Sequence, residues 1–513
     1  MKKFIIFLLV PFLCFSQVNL DTTFSDDGKV IFDNCPYGVT NDLSLDNTSD
    51  NKIILGYRGA ANLYGFFFKF NADGNLDTSF GTNGYFELSS NTTTVLQPES
   101  NYSMVELEVQ NDNKIVSSGR RESIAASTFC ISRMNPNGGL DTTFNGTGFL
   151  EVSFDNSVSR GNCMKLQSDG KILVGGYSGN SSEFFSILRL NSNGTLDNSF
   201  GTLGKVQTLM MGQSLPYSIA LQSDGKILMG GYVLNNPYGY DFALVRYLSN
   251  GTLDTSFGTN GIVVTTISAI FSDSIRKVLV QNDGRIIVVG NYADSSGESR
   301  VAMVRYLNNG AIDTSFAANG IYIADFYSAT YDAALQIDNK IVLSSSTYDY
   351  DLNFFRFNII RFNPDSVVMD NNFISSNSAF PFSLLESRGS SIKILPDNKI
   401  IACGSSFLTT NPCGDLSGLL VRINPGPLLS NNEFEENQLV FYPNPTENVV
   451  SFDNSISQYQ KAAIFNILGQ EVGTITLKSL MNESIDLKGF SNGAYLIKLS
   501  NQNSLKTIKI IKK

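Results

Sequence analysis

The chain has 513 residues, with 37 Lys and Arg against 47 Asp and Glu, six cysteines, no tryptophan and no histidine. Without imidazole, Ser-His-Asp and Cys-His nucleophiles, His-ligated zinc and a histidine pH switch are all excluded, so any catalysis must lean on carboxylates, Lys, Tyr or Ser. A net charge of −10 in a chain only 16% charged offers no basic stripe for phosphates, which argues against nucleic-acid binding, and the length allows one large unit plus extras.

The amino terminus reads as an export signal spanning 1–16. Lys2 and Lys3 precede an apolar run at 4–13, and Cys14, Phe15 and Ser16 lead to a cleavage point before Gln17. The run is half the roughly 20 residues a spanning helix needs. Leu13 replaces the small residue expected before a lipoprotein cysteine, so cleavage is favoured over lipidation at Cys14. No later segment reaches the length of a span, so no membrane span is expected in the mature chain. Cys35, Cys130, Cys163, Cys403 and Cys413 remain, an odd number that is no disulfide scaffold. Cys403 and Cys413 flank one connection and are the pair that stands open.

From there three signals recur in phase, seven times each. The motif L-D-x-[ST]-F begins at Leu20, Leu76, Leu140, Leu196, Leu253 and Ile312, with a degenerate copy at Met369. The interval averages about 58 residues, a period typical of propellers and solenoids. A tight turn followed by a basic residue and an apolar run gives Lys52, Lys114, Lys171, Lys226, Arg285, Lys340 and Lys399. A strand ending in a basic residue gives Lys69, Arg133, Arg189, Arg246, Arg305, Arg361 and Arg422. In the third copy the strands are expected at 148–154, 163–167, 171–177 and 185–190, separated by Asp-Gly, Asn-Gly and similar turn residues that tolerate positive φ. No segment keeps a 3.6-residue period, so helices should be scarce.

Apolar residues on both faces of strands such as 286–289 require cover on both sides. Such four-stranded units are unstable alone and bury both faces when stacked radially, which predicts a seven-bladed β-propeller. An open solenoid is the rival. Closure is favoured because each strand-ending basic residue is followed by a motif Asp, except Arg422, while Asp21 has no such residue before it. In a ring, Asp21 meets Arg422. The repeats resemble the delta-sixty repeat family of secreted bacterial proteins over about residues 20–424, which implies a propeller-like array and extracellular placement but no known reaction.

The repeated Asp and Arg residues read as structural caps and inter-strand ion pairs rather than ligands. No cofactor or metal is expected. Calcium is the one candidate, at the oxygen-rich loop 71–77, although Asn137 and Asn193 replace Asp73 in equivalent loops. Tyr217, Tyr232, Tyr238, Tyr240, Tyr348 and Tyr350 fall in or beside irregular connections and suit sugar stacking, against the alternative of packing between blades. Asp325, Asp332, Asp349 and Asp351 stand outside the repeat pattern, but nothing in their spacing makes them converge as glycoside hydrolysis requires.

After residue 424 the repeats stop. A polar linker at 428–438 follows the array of 17–427, and seven short strands within 439–513 fit a small Ig-like β-sandwich. Tyr442-Pro443-Asn444-Pro445-Thr446, then 464–472 with Gly469, then Gly493-Ala494-Tyr495, and finally Lys509 to Lys512 resemble the type A sorting domain of the Bacteroidota type IX secretion system. The resemblance implies the secretion machinery as partner, removal of the domain afterwards, and release or attachment at the outer cell surface. The expected function is therefore a secreted or surface-displayed binding or scaffold protein for an extracellular glycan or protein. The alternatives are a carbohydrate-active hydrolase or lyase on the same scaffold, or an adhesin.

Overall fold

The structure is a computed structural model that describes residues 20–513 except 33–38, 60–64, 89–100, 123–126, 156–157, 180–183, 211, 237–238, 269, 351–352, 365–366, 371–372, 374–385, 408–415, 425–440, 453–460, 467–469, 477–483 and 501–504. It divides into two compact units, Met1–Leu428 and Leu429–Lys513. The export signal, the linker, Cys14, Cys35 and Cys413 lie outside the described residues, so the pairing of Cys403 with Cys413 does too. Among the described residues there is no helix.

In the first unit the described strands form seven antiparallel sheets. The third is Ser159–Leu166, Ile172–Ser178, Phe184–Leu190 and Lys205–Leu209, in that order from one edge to the other. One strand, Ile321–Leu335, is shared: its first half ends the fifth sheet against Ser299–Tyr306, and its second half begins the sixth against Ile341–Asp349.

Sequence repeats and sheets are out of phase by one strand. The repeat pattern puts residues 148–154 at the start of the third copy's own sheet, yet Phe149–Val152 pairs with Ser127–Met134 of the sheet before it. The third sheet is completed by the next copy's Lys205–Leu209. The reason is local: L-D-x-[ST]-F is itself the connection from a sheet's third strand to its outermost one, so each copy's first strand belongs upstream. The last sheet, ending with Leu416–Ile423, has no copy downstream. Lys29–Phe32 fills the place, with Ile31 opposite Leu419.

Alternate residues along a strand feed two different interfaces, which explains why these strands are apolar on both faces. Ile172 and Val174 pack with Val116, Phe129 and Ile131 of the second sheet, whereas Leu173 packs with Ile219, Met229 and Ala243 of the fourth. Seven such apolar layers occur, and the seventh joins Leu43, Leu45 and Leu55 of the first sheet to Ile401, Cys403 and Leu420 of the last. The sheets thus close a ring. Cys130, Cys163 and Cys403 are buried within it.

The first strand of each sheet lies at the axis and carries a register shift, as between Gly161 and Cys163, Pro216 and Ser218, Ile275 and Lys277, or Thr330 and Asp332. A bulge bends its strand and re-aims the extra side chain. Here the extra residues are Asn162, Tyr217, Arg276 and Tyr331.

The second unit has a three-stranded sheet (Phe441–Tyr442, Val449–Phe452, Ser484–Asp486) and a four-stranded one (Lys461–Asn466, Glu471–Thr476, Gly493–Ser500, Leu505–Lys512). Val450, Ile464, Ile485, Ile497 and Ile510 form one core between them.

Candidate functional site

Antiparallel pairing sends the two kinds of connection to opposite ends of the ring. The D-G-K turns and the L-D-x-[ST]-F segments share one end; the irregular connections share the other.

At the repeat end every motif residue has a structural task. Asp197 Oδ1 accepts hydrogen bonds from the Ser199 N–H at 3.1 Å and the Ser199 hydroxyl at 2.7 Å. Its Oδ2 meets Arg189 Nε at 2.8 Å and Lys171 Nζ at 3.2 Å. The Arg189 guanidinium lies 4.6 Å from the centroid of buried Phe200 and donates to the Ser249 carbonyl of the next turn at 2.6 Å. Burial works to raise the Asp197 pKa, but the hydrogen bonds from Ser199 and Lys171 and the charge of Arg189 outweigh it and hold the carboxyl well below its usual range. The same hub joins the chain ends. Arg422 Nε donates to Asp21 Oδ2 at 2.7 Å, Lys399 Nζ sits 2.9 Å from it, and the guanidinium covers Phe24 at 4.7 Å. In the loop 71–77, Asp73 Oδ1 accepts the Asn75 N–H at 3.0 Å and Asp77 Oδ2 takes Lys52 at 2.9 Å, so both carboxylates serve the turn and the hub.

Along the axis, acids at two levels clasp the neighbouring sheet. Asp46 Oδ2 accepts the Val109 N–H at 2.8 Å, Glu106 the Met164 N–H at 2.6 Å, Glu108 the Leu166 N–H at 2.6 Å, and Asp332 the Ile392 N–H at 3.0 Å. Three of the four also hold a lysine: Asp46 with Lys393 at 2.5 Å, Asp332 with Lys277 at 2.8 Å, and Glu108 with Lys165. Burial pushes Glu106 up to about 7, opposed by Lys277 and reinforced by Glu108. Burial disfavours the Lys277 ammonium, yet Asp332 and Glu106 outweigh it and hold its pKa above the ordinary value. A cavity of about 620 Å³ at the repeat end of the axis is lined by Asp46, Glu108, Lys165, Leu221 and Lys393.

The irregular end gathers aromatic rings and arginines over the third, fourth and fifth sheets. Tyr217 lies 5.9 Å from Tyr232, and Tyr232 lies 4.4 Å from Tyr240, centroid to centroid. The Arg276 guanidinium covers Tyr217 at 4.3 Å, and Arg160 approaches Tyr177 at 5.9 Å. Burial, with Tyr217 and Tyr240 beside it, keeps the Tyr232 hydroxyl protonated well beyond its usual range.

Three of the six tyrosines that fall in or beside the irregular connections therefore meet at one place. Tyr348 and Tyr350 form a second group with Tyr327 and Phe355, and Tyr238 is outside the described residues. The four acids outside the repeat pattern do not meet: Asp332 is in the axial clasp, Asp349 pairs with Arg356 at 2.9 Å, Asp325 sits near Tyr322, and Asp351 is outside the described residues. Sequence patterning alone does not single out Arg276, Arg160 or the axial acids. A usable signal existed for Val105, Asn162, Tyr217, Arg276 and Tyr331, since each stands five residues before the glutamine that opens its turn.

Residues 110–144, 167–200, 222–257, 281–316 and 336–368 match the family described as "Domain of unknown function (DUF5122) beta-propeller". Residues 440–513 match the "Secretion system C-terminal sorting domain". This chain is a β-propeller with a secretion sorting tail. The first four propeller matches run from a turn through the following L-D-x-[ST]-F segment, the part of the repeat that builds the hub, and the fifth stops at 368, just before Met369. The sorting tail marks the protein for type IX export, to the cell surface or beyond. No curated protein matches the chain. Among solved structures, the propeller is similar to a protein of unknown function from Dyadobacter fermentans (12% identity, 77% of this chain and 98% of that one, TM-score 0.39). It is also similar to a polysaccharide lyase, an ulvan lyase (10% identity, 77% and 96%, TM-score 0.45), and to an α-L-arabinofuranosidase from Fusarium graminearum (9% identity, 77% and 97%, TM-score 0.39).

In the sorting tail, the Pro443–Pro445 segment holds the last strand. Asn444 Oδ1 accepts the Ile511 N–H at 2.9 Å, and Thr446 exchanges backbone bonds of 2.8 Å with Ile511 and Lys513. Gly493 pairs with Lys512 and Leu496 with Lys509, while the Tyr495 hydroxyl donates to the Ser491 carbonyl at 2.7 Å. Gly469 lies outside the described residues.

Proposed function

We propose that this exported propeller binds an extracellular glycan at its irregular end and does not turn it over. The observation that carries the reading is the group Tyr217, Tyr232 and Tyr240, half-buried rings that run from the axial strand outward on the end where no repeat motif occupies the surface. Aromatic faces stack on sugar rings, and the adjoining loops differ from sheet to sheet, which suits recognition. The axial carboxylates support binding over hydrolysis. A hydrolase needs one free acid and one free base about 5 to 10 Å apart, whereas Asp46, Glu106, Glu108 and Asp332 each accept a backbone N–H of the next sheet. Cell-surface display or release after export accords with the same reading.

The test is an oligosaccharide array and calorimetry with the full-length protein, alongside assays for new reducing ends and unsaturated products. Binding that falls at least tenfold in Tyr217→Ala or Tyr240→Ala, with no product formed, is the expected result. Product formation would replace this reading with a carbohydrate-active enzyme.

A further inference from the structure

Nearly every arginine whose partners are visible in the propeller is matched by a carboxylate. The six hub arginines have their motif Asp, and outside the hub Arg121 has Glu151, Arg300 has Asp294, Arg356 has Asp349 and Arg388 has Glu386. Arg276 breaks the pattern. Among the described residues no carboxylate or carbonyl accepts from it, and its Nε is buried without a hydrogen-bond partner. Its guanidinium carbon lies over the Tyr217 ring, 4.3 Å from the ring centroid.

Two acids lie close by in sequence, and neither serves it. Asp273, on the same strand, accepts the Ile267 and Ser268 N–H groups at 3.1 and 3.0 Å. Asp241, next to Tyr240, accepts from Asn235 and Thr266, each at 2.7 Å. Both are fully buried. In a chain with a surplus of ten negative charges, the Arg276 guanidinium thus stands without a carboxylate among the described residues, in a β-bulge, beside three tyrosines.

We infer that the glycan is acidic and that Arg276 receives its carboxylate or sulfate. The inference rests on the glycan-binding reading above and adds the ligand's charge. Contact with the Tyr217 ring holds the guanidinium in place, and the paired N–H donors of such a group suit a planar carboxylate or two sulfate oxygens. Charge-assisted bonds of this kind are about twice as strong as neutral ones. The rings of Tyr217, Tyr232 and Tyr240 then supply the apolar surface for the pyranose, and the protonated Tyr232 hydroxyl is a donor to its oxygens.

The experiment is calorimetry of the full-length protein with three oligosaccharide probes: oligogalacturonate, a sulfated galactan oligomer and a neutral galactan oligomer. Acidic probes should bind at least tenfold more tightly than the neutral one, and weaken as salt is raised. Arg276→Gln should remove that preference, while Arg276→Lys, which keeps charge but loses the fork, should retain part of it. Thermal unfolding of both variants establishes that the sheets are intact. The uronate and sulfate arms distinguish which oxyanion is taken. Equal binding of neutral and acidic probes, unchanged in Arg276→Gln, would overturn the inference and leave the glycan reading standing. Failure of all three probes, with binding of an acidic peptide instead, would overturn both.

Discussion

Asp273 puts a charge where other copies of the repeat carry a hydroxyl, and the exchange makes stability depend on pH. At the corresponding position of the third sheet, Ser159 accepts the Phe154 N–H with its hydroxyl at 3.0 Å. Asp273 does the same for Ile267 with a carboxylate, fully buried, and the consecutive residues Thr266 and Ile267 bring Asp241 close to it. Each acid has one oxygen, Oδ1, without a partner. Burial pushes Asp273 up to about 7, opposed by the two backbone N–H groups and reinforced by Asp241. In the unfolded chain its pKa is about 3.9. Between those values the folded form binds a proton that the unfolded form does not, so stability falls as pH rises from about 4 to about 7 and then levels. Glu106 adds a change of the same sign. Asp273→Ser should therefore be more stable than the parent at pH 8, by an amount on the order of 1–3 kcal/mol given roughly 1.4 kcal/mol per pKa unit. At pH 5 the advantage should vanish or reverse. Urea melts at the two pH values decide it, and an equal effect at both would show that Asp273 is already ionised at pH 5.

At the scale of the element, the hub makes a sharper demand. Arg189 and Arg422 sit in equivalent hubs, but Arg189 links strands of one continuous chain segment while Arg422 reaches Asp21 across the whole ring. Removing one partner of a buried pair costs about 3–5 kcal/mol. Arg189→Ala and Arg422→Ala should lose comparable stability in urea, yet only Arg422→Ala should release the strand Lys29–Phe32 to limited proteolysis under native conditions. Equal protease resistance in the two would mean that the strand's pairing with Leu416–Ile423 suffices to close the ring. These hubs were legible in the sequence because the same Asp, basic residues and Phe return with one period, and chemistry repeated seven times leaves a pattern. The phase of the sheets was not, since periodicity is blind to which neighbour a strand pairs with, and only the hydrogen bonds put Phe149–Val152 upstream. Arg276 and the axial acids were hidden for the opposite reason. They occupy positions where the copies differ in residue type, Tyr217 against Arg276 or Glu106 against Cys163 and Ser218, so only the fixed distance to the turn glutamine marks the place, not a repeated side chain.

For the whole molecule, two units with separate cores imply separate tasks. Val450, Ile464, Ile497 and Ile510 belong to a core that shares no residue with the seven layers of the ring, so deletion of 429–513 should leave the propeller's thermal transition in place. It should also keep the protein from the cell surface, because export rests on that sandwich. Whether the machinery reads the fold or particular side chains can be separated at Asn444 and Ile510. Ile510 is fully buried, and Ile510→Asp places a charge in the core, which unfolds the sandwich and must abolish export under either account. Asn444 lies at the surface and accepts one backbone hydrogen bond, whose loss costs about 1 kcal/mol. If the fold alone is read, Asn444→Ala should lower the sandwich's melting point slightly and leave surface display intact. If display is lost while the sandwich stays folded at growth temperature, Asn444 is itself contacted by the machinery. We expect the first outcome, because Asn444 and Thr446 spend their polar groups on fastening the terminal strand.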